Sequence, residues 1–187
     1  MATWSRATAL LSMTSPLGGD VLIPTALAAH EAISQPFAFE VQAVSQHGVI
    51  EADTLLYQPA CVTLHGQGGA VVRYFHGIVQ SVSAEGTIRG ETGAGSYERY
   101  RLVLVPRLWF LGQTVDCRVH QKLSVVDILQ KMFSEVNLTD VSLPPPGATR
   151  DYTVQFNESD LHFATRLMEG FPSSFSNRAA RRCSAMS

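Results

Sequence analysis

The chain has 187 residues, of which 45% are hydrophobic and 16% are charged. This composition is typical of one globular domain, or of a large domain with part of a second, and it excludes a chain that is disordered throughout. The formal net charge of -2 provides no overall field that would attract nucleic acid or an anionic membrane.

No segment of the sequence has the pattern of a membrane anchor or a secretion signal. The best apolar run, residues 102–111, is interrupted by Pro106 and Arg107, and a spanning helix needs roughly 18 consecutive apolar residues. The N-terminal apolar run has about five residues, which is too short for the core of a signal peptide. We therefore expect no membrane anchor and a chain that is made and kept in the cytoplasm.

Alternating apolar and polar side chains predict strands along the first half of the chain. Cys61–His65 places Val62 and Leu64 on one face, which is the period-2 pattern of a strand. Val71–Ser83 is the longest such run. Gly77 at its middle predicts a bend or bulge of the kind that curves a long strand around a barrel.

A long hairpin is predicted next. Residues 84–96 contain four glycines and few apolar side chains, so we expect a loose loop before a strand over Tyr97–Val105. Pro106 then ends the ladder, because proline has no backbone N–H to donate. We expect an antiparallel barrel over residues 7–125. Its predicted core comprises Phe37, Phe39, Val62, Leu64, Ile78, Leu102 and Leu104.

Helical periodicity appears only in the last third of the chain. Ser124 followed by Asp127 predicts a capping box at a helix N-terminus. The apolar residues that follow recur on one face of a helix of about 13 residues. They are Val125, Ile128, Leu129, Met132, Phe133 and Val136.

A strand and a second helix are predicted after the prolines at 144–146. The strand covers Tyr152–Phe156, and the helix is capped by Asn157 or Ser159. Its inward side chains are predicted to be Leu161, Ala164, Leu167 and Met168. The expected fold class is mainly β with a few helices: an antiparallel barrel followed by the start of a second subdomain.

The sequence contains no recognisable constellation of catalytic residues. Motifs of zinc proteases, of α/β-hydrolases and of phosphate- or dinucleotide-binding loops are all absent. The three cysteines lie far apart without a C-x-x-C pair, which argues against a zinc knuckle and a disulfide scaffold. Exposed aromatics interleaved with basic residues, typical of nucleic-acid binding, are also missing. We assign no catalytic, cofactor-binding or metal-ligating residue and expect no cofactor.

Two groupings of polar residues need an interpretation. His65 and His76 could face each other on neighbouring strands, although two histidines with ordinary hydrogen bonds are the more frequent arrangement. Glu158 and Asp160 lie in the first turn of the second predicted helix, where backbone amides stabilise negative charge. We interpret both carboxylates as structural.

Six motifs are informative through their order and spacing. They are S-P-L-G at Ser15–Gly18, I-S-Q-P-F at Ile33–Phe37, F-H-G-I-V at Phe75–Val79, the run Tyr100–Leu111, S-V-V-D-I-L at Ser124–Leu129 and the run Tyr152–Glu169. This series resembles the N-terminal region of the valine-glycine repeat (VgrG) spike proteins of bacterial type VI secretion systems, which is similar to the baseplate hub protein of contractile-tailed phages. The resemblance covers residues 7–169.

The resemblance implies a structural component of the secretion spike and no enzymatic activity. In that family this region supplies β-barrels that associate three-fold, cap a hexameric secretion tube and adjoin the baseplate. An effector or spike-tip protein would bind through a C-terminal region, and the spike would deliver effectors by puncture. The full-length parent would be cytoplasmic before firing and exported through the type VI apparatus afterwards, and it would bind no nucleic acid.

The end of the chain departs from the family pattern. Residues 170–187 contain five serines, three arginines and no carboxylate, a composition typical of a disordered terminus or of a wrong reading frame. We interpret the chain as a truncated spike protein. It would have a first barrel at 1–120, a helix–strand–helix segment at 121–169 that begins the next subdomain, and a non-homologous tail at 170–187. The alternative is a natural short variant whose basic tail binds something acidic.

A ligand-binding or enzymatic β-barrel is the alternative function. Such a protein would enclose a small molecule within the sheet formed by Val71–Ser83 and Tyr97–Val105. The barrel interior separates the two hypotheses, because a ligand site needs a continuous cavity of roughly 300 Å³ or more with convergent polar groups. An interior filled by side chains would leave no such site.

Overall fold

A computed structural model describes residues 9–32, 35–89, 95–139 and 141–170. Its contacts divide the chain into two compact units that meet in sequence at Pro106. Unit 1 contains the N-terminal strands and Phe37–Pro106, and unit 2 contains the residues from Arg107 onward together with Ala32–Pro36. No helix within these described ranges is both long enough and apolar enough to cross a membrane.

The limits of the units differ in kind from the predicted domain limits. The change of unit at Pro106 precedes the predicted limit at residue 120, because the strand that contains residue 120 pairs within unit 2. Compactness and independent folding are different properties, so the three predicted domains stay a prediction. Residues 171–187 of the predicted tail lie outside the described residues.

Unit 1 is a six-stranded antiparallel sheet with the spatial order β1-β4-β5-β6-β3-β2. The edge strands β1 and β2 approach each other, so the sheet curls in the manner of a barrel. The strands are β1 (Leu11–Thr14), β2 (Ile23–His30), β3 (Ala38–Ser45), β4 (Pro59–His65), β5 (Val71–Arg89) and β6 (Ser96–Val105).

A cluster of buried apolar side chains covers the inner face of this sheet. Along β6, Tyr100, Leu102 and Leu104 are buried, whereas Arg99 and Arg101 point outward, as the period of a strand requires. Six of the seven predicted core residues are buried, and the seventh, Leu64, is partly buried against the same cluster. The buried members include Met13, Leu22, Phe37, Phe39, Val41, Leu55, Val62, Phe75 and Val79.

The hairpin of β5 and β6 is longer than the sequence predicts. Pairing continues to Arg89 opposite Ser96, so residues 84–89, predicted as loop, belong to the strand. Register shifts follow Val79 and Ala84, and such bulges increase the local twist of a strand. Gly86 lies at the second shift with φ of +91°, a conformation that glycine adopts without steric cost.

Gly77 is required by a close approach and not by the predicted bulge. It pairs with Ala60 in a stretch of β5 without a register shift. A Cβ atom on Gly77 would lie 2.9 Å from the carbonyl oxygen of Val105 and 3.2 Å from Cβ of Leu104. The backbone of β6 therefore occupies the space that a side chain would need.

Unit 2 packs two helices against a two-stranded antiparallel sheet. Its own core includes Leu108, Leu111, Ile128, Leu129, Met132, Phe133, Phe163 and Leu167. The elements are a 3-10 helix (Arg107–Gly112), β7 (Val115–Leu123), α1 (Val125–Glu135), β8 (Arg150–Ser159) and α2 (Asp160–Met168).

The predicted capping box at the start of α1 is confirmed. Ser124 Oγ accepts a hydrogen bond from the backbone N–H of Asp127 at 3.2 Å, and the Asp127 carboxylate accepts one from the backbone N–H of Ser124 at 3.1 Å. Ser159 is the N-cap of α2 and accepts from the backbone N–H of His162. Phe163, which the sequence analysis missed, is fully buried on α2.

Candidate functional site

The structure separates the two histidines considered as a pair. His76 lies opposite Cys61 in the β4–β5 register, and His65 lies opposite Val71 at the far end of that pairing. His65 Nε2 is 2.7 Å from Ser12 Oγ, which is an ordinary hydrogen bond. In the part of the chain that the structure describes, no group of three or more His, Cys, Asp or Glu side chains could hold a metal ion.

The inner face of the unit 1 sheet is occupied by apolar side chains. Its largest polar member is Tyr100, whose hydroxyl accepts from the backbone N–H of Ile50 at 2.8 Å and donates to the carbonyl of Gly48 at 3.3 Å. A groove of about 670 Å³ lies in unit 2, between α1 and the prolines at 144–146. The described residues that line this groove carry no charge.

A buried polar cluster lies beneath the β7–β8 sheet, on the side that faces the helices. Gln155 donates through Nε2 to Oδ1 of Asp160 at 2.7 Å and to the carbonyl of Glu158 at 3.1 Å. His120 and Thr153, directly opposite each other in the register, are buried on the same face. The sheet therefore turns its polar side chains inward.

Arg118 supplies the positive charge at the edge of this cluster. Its Nε donates to Asp116 at 2.7 Å, Nη1 donates to Glu135 at 3.0 Å, and Nη2 lies 3.8 Å from Asp160. The bonds to Asp116 and then to Glu135 raise the pKa of the guanidinium, and the bond from Arg118 lowers the pKa of Asp116. Arg118 thus links β7 to α1.

His120 is stabilised in its neutral form. Its ring stacks on Phe163 with centroids 5.7 Å apart. Burial lowers the pKa of His120 from 6.5, and the positive charges of Lys131 and Arg118 lower it further. His120 Nε2, Thr153 Oγ1 and the Oε1 atom of Gln155 are buried without a hydrogen-bond partner in the protein. The cluster is therefore polar but incompletely satisfied, which stabilises less than a complete network would.

The opposite side of the same two strands is apolar and exposed. We call it the ribbon face. A bulge in β8 helps to set its geometry, since Asn157 has φ of +48° and its backbone N–H lies 3.3 Å from Cys117 Sγ. The side chains of the ribbon face are Val115, Cys117 and Val119 on β7 and Tyr152, Val154 and Phe156 on β8.

The ribbon face is large enough to require a functional explanation. Phe156 is 78% exposed, Tyr152 is 70% exposed and Val119 is 61% exposed. Contiguous apolar patches of several hundred Å² are often functional in soluble proteins. The face offers no acid, base or charged group, so its chemistry is that of binding and not of turnover. The alternation of Tyr152, Val154 and Phe156 with polar residues was visible in the sequence, but it was taken as an inward pattern.

The predicted carboxylates at the end of β8 have structural partners. Glu158 accepts hydrogen bonds from Arg166, which lower the pKa of Glu158, and it also lies 3.1 Å from Nδ1 of His162. Asp160 opens α2 and is buried against Gln155. Both carboxylates therefore hold the junction between β8 and α2 together.

Comparison with known proteins places this arrangement in a family. Residues 30–170 match the family described as phage tail baseplate hub (GPD). The chain belongs to this family. The predicted resemblance to spike and hub proteins is thereby confirmed, as is the predicted fold class of mainly antiparallel strands in a curled sheet with few helices.

Relatives of known sequence are type VI spike proteins. The chain is 36% identical over 168 residues to the type VI secretion system spike protein VgrG1c of Pseudomonas aeruginosa, a match that covers 89% of this chain and 22% of that protein. It is 34% identical over 167 residues to VgrG1b of the same organism, covering 88% and 22%. The chain therefore spans about 22% of the length of these curated relatives.

A solved structure shows the same fold. The Escherichia coli c3393 protein, described as a component of the type VI secretion system with structural similarity to the T4 bacteriophage tail proteins gp27 and gp5, superposes with a TM-score of 0.64 at 21% identity. The match covers 79% of this chain and 39% of that protein. At this identity the likeness establishes the fold alone.

Proposed function

We propose that the chain is a structural component of a type VI secretion spike and forms part of its hub, where it acts by assembly and without catalytic turnover. The observation that carries the proposal is the family match over residues 30–170. The similarity to named spike proteins extends over most of this chain. In this proposal the parent protein trimerises, caps the secretion tube and delivers effectors by puncture.

The architecture of unit 1 supports a mechanical role. A hub must transmit load between subunits, and an antiparallel sheet does so through a continuous ladder of backbone hydrogen bonds. The inner face carries apolar packing such as Phe39 against Phe37 and Phe75, at centroid distances of 4.4 and 5.2 Å. Such a core resists deformation because it is close-packed.

The proposal includes partners and a location for the parent protein. The partners are further copies of the hub, a hexameric tube protein, the baseplate and an effector or spike-tip protein that binds elsewhere in the parent. The parent is cytoplasmic before firing and leaves the cell through the type VI apparatus. The names of the relatives, which are spike proteins of a secretion system, support this route.

A chimera tests the proposed function. Residues 9–170 replace the matching segment of Pseudomonas aeruginosa VgrG1b, and the release of spike and tube proteins into the medium is measured in a strain without its own copy. We expect the chimera to restore release. The control is the same chimera with Phe39→Asp, which places a charge in the core and should abolish release. A chimera that accumulates at the parental level and assembles no spike would contradict the proposal.

A further inference from the structure

We infer that the ribbon face is a contact surface for a second copy of this chain, and that the two copies pack face to face about a two-fold axis. The inference goes beyond the proposed function, because a three-fold hub does not require this contact. It stands on three observations: the size of the apolar face, its lack of charge and the order of the side chains along β8.

The area of the ribbon face suits a pair of identical copies. A covered aromatic ring buries about 150–250 Å², so two exposed rings and three exposed valines present on the order of 500 Å² of apolar surface. Two copies together would cover about 1,000 Å², which is the size at which a protein interface becomes specific.

The charges of unit 2 also permit this packing. The six side chains of the ribbon face are uncharged, and the ionised residues in the middle of β7, Asp116 and Arg118, are paired with each other on the opposite face. Two copies can therefore meet without the desolvation of an ion, which is the largest cost of burying a polar interface. A charged partner would gain no complementary group on this face.

The order of residues along β8 makes the face complementary to itself. Tyr152, Val154 and Phe156 follow one another on one side of the strand. A two-fold axis that reverses the strand direction would place Tyr152 of one copy against Phe156 of the other, with Val154 of both copies near the axis. Val119, which is opposite Val154 in the register, adds to the same centre. Two aromatic pairs would then flank an aliphatic centre, an arrangement that aromatic side chains favour.

Sedimentation of the full chain tests the inference with a matched pair of variants. Val119 on the ribbon face is 61% exposed, and Val72 on β5 of unit 1 is 64% exposed. All measurements use a Cys117→Ser background, because Cys117 is a free, exposed thiol on this face. We expect a concentration-dependent dimer that Val119→Lys weakens at least tenfold, whereas Val72→Lys leaves the dimer unchanged. A monomeric parent chain, a trimer, or an equal effect of both variants would overturn the inference.

A charge exchange at the centre of the face gives a second readout. Val154→Lys and Val154→Glu should each remain monomeric alone, because like charges would meet near the two-fold axis. An equimolar mixture of the two variants should form a dimer. If each variant is folded by circular dichroism and the mixture stays monomeric, the two-fold packing is wrong. Export by the VgrG1b chimera is measured separately, so a failure of the proposed function leaves this result readable.

Discussion

The sheets of the two units use their faces in opposite ways. In unit 1, Phe39 and Leu104 are cross-strand neighbours and both are fully buried. The outer face of the same strands carries charge, since Arg101 forms ion pairs with Glu40 at 2.9 Å and with Glu85 at 2.6 Å. This is the distribution expected of a sheet whose core lies on one side and whose other side meets water.

Unit 2 reverses this distribution on its two strands. The buried side of the β7–β8 sheet carries His120, Thr153 and Gln155, and the exposed side carries valines and aromatics. The helices supply the apolar core instead, through residues such as Phe133 and Phe163. Unit 1 therefore satisfies its apolar surface internally, whereas unit 2 leaves apolar surface for a partner.

The largest expected effect comes from the core of unit 1. Phe39→Ala removes a fully buried ring that contacts two other aromatics, and it should lower the free energy of unfolding by about 3–5 kcal/mol. Urea denaturation measures the change. The control is Val72→Ala at an exposed strand position, which should change stability by less than about 0.5 kcal/mol. A loss for Phe39→Ala as small as that of the control would break the comparison between the units.

The close approach at Gly77 gives the next largest effect. Gly77→Ala places a Cβ atom 2.9 Å from a backbone oxygen of β6 and should destabilise the protein by about 1–3 kcal/mol. Hydrogen exchange of peptides from β5 and β6 should show the loss locally. Gly147→Ala is the matched control, because a Cβ atom there meets no atom within 4 Å. Equal stability of the two variants would mean that β6 can move away.

The capping box of α1 should contribute about 1 kcal/mol. Ser124→Ala removes the acceptor for the backbone N–H of Asp127 and should reduce stability by about 0.5–2 kcal/mol. Amide exchange in the first turn of α1 should increase, while exchange in unit 1 should not change. Ser124→Thr retains the hydroxyl and should restore most of the protection. Faster exchange in both units after Ser124→Ala would show that they do not respond separately.

The smallest expected effect is a pH dependence that belongs to unit 2. Because burial lowers the pKa of His120 from 6.5, the unfolded chain binds the proton more readily, and stability should decrease as pH falls below that value. The groups that face His120 are Lys131 and Glu135 of α1, Arg118 of β7 and Asp160 of α2.

The measurement compares unfolding free energies between about pH 7.5 and about pH 5.5, above the range in which most carboxylates titrate. His120→Gln removes the titrating ring and should reduce the dependence on pH over this interval. An unchanged dependence in the variant would assign the effect to other groups. It would also remove His120 from the account of why the inner face of unit 2 is less stable at low pH.

Local features of the sequence predicted the elements with good accuracy. The capping box of Ser124 and Asp127 fixes the start of α1, because both hydrogen bonds join residues three positions apart. Alternation along β4 and β6 likewise identified the buried faces, including Val62 and Leu102. The ordered motifs also identified the family, which the match over residues 30–170 bears out.

Features that depend on distant residues could not be predicted in this way. Residues 84–89 extend β5 because β6 offers them partners, although their composition is typical of a loop. His65 and His76 are separated by the register of β4 and β5, which a pattern within one strand does not contain. The space at Gly77 is occupied by a neighbouring strand, so its sequence context indicates a glycine position without its cause.

The sequence by itself determined which segments form strands and helices and which family the chain resembles, because those properties depend on neighbouring residues and on ordered motifs. The tertiary structure alone decided which face of β7 and β8 is buried. A strand with polar residues on one side and apolar residues on the other fits either orientation, and the helices of unit 2 selected the polar side by pairing Gln155 with Asp160 and stacking Phe163 on His120. Those contacts left the valines and aromatics of the ribbon face exposed.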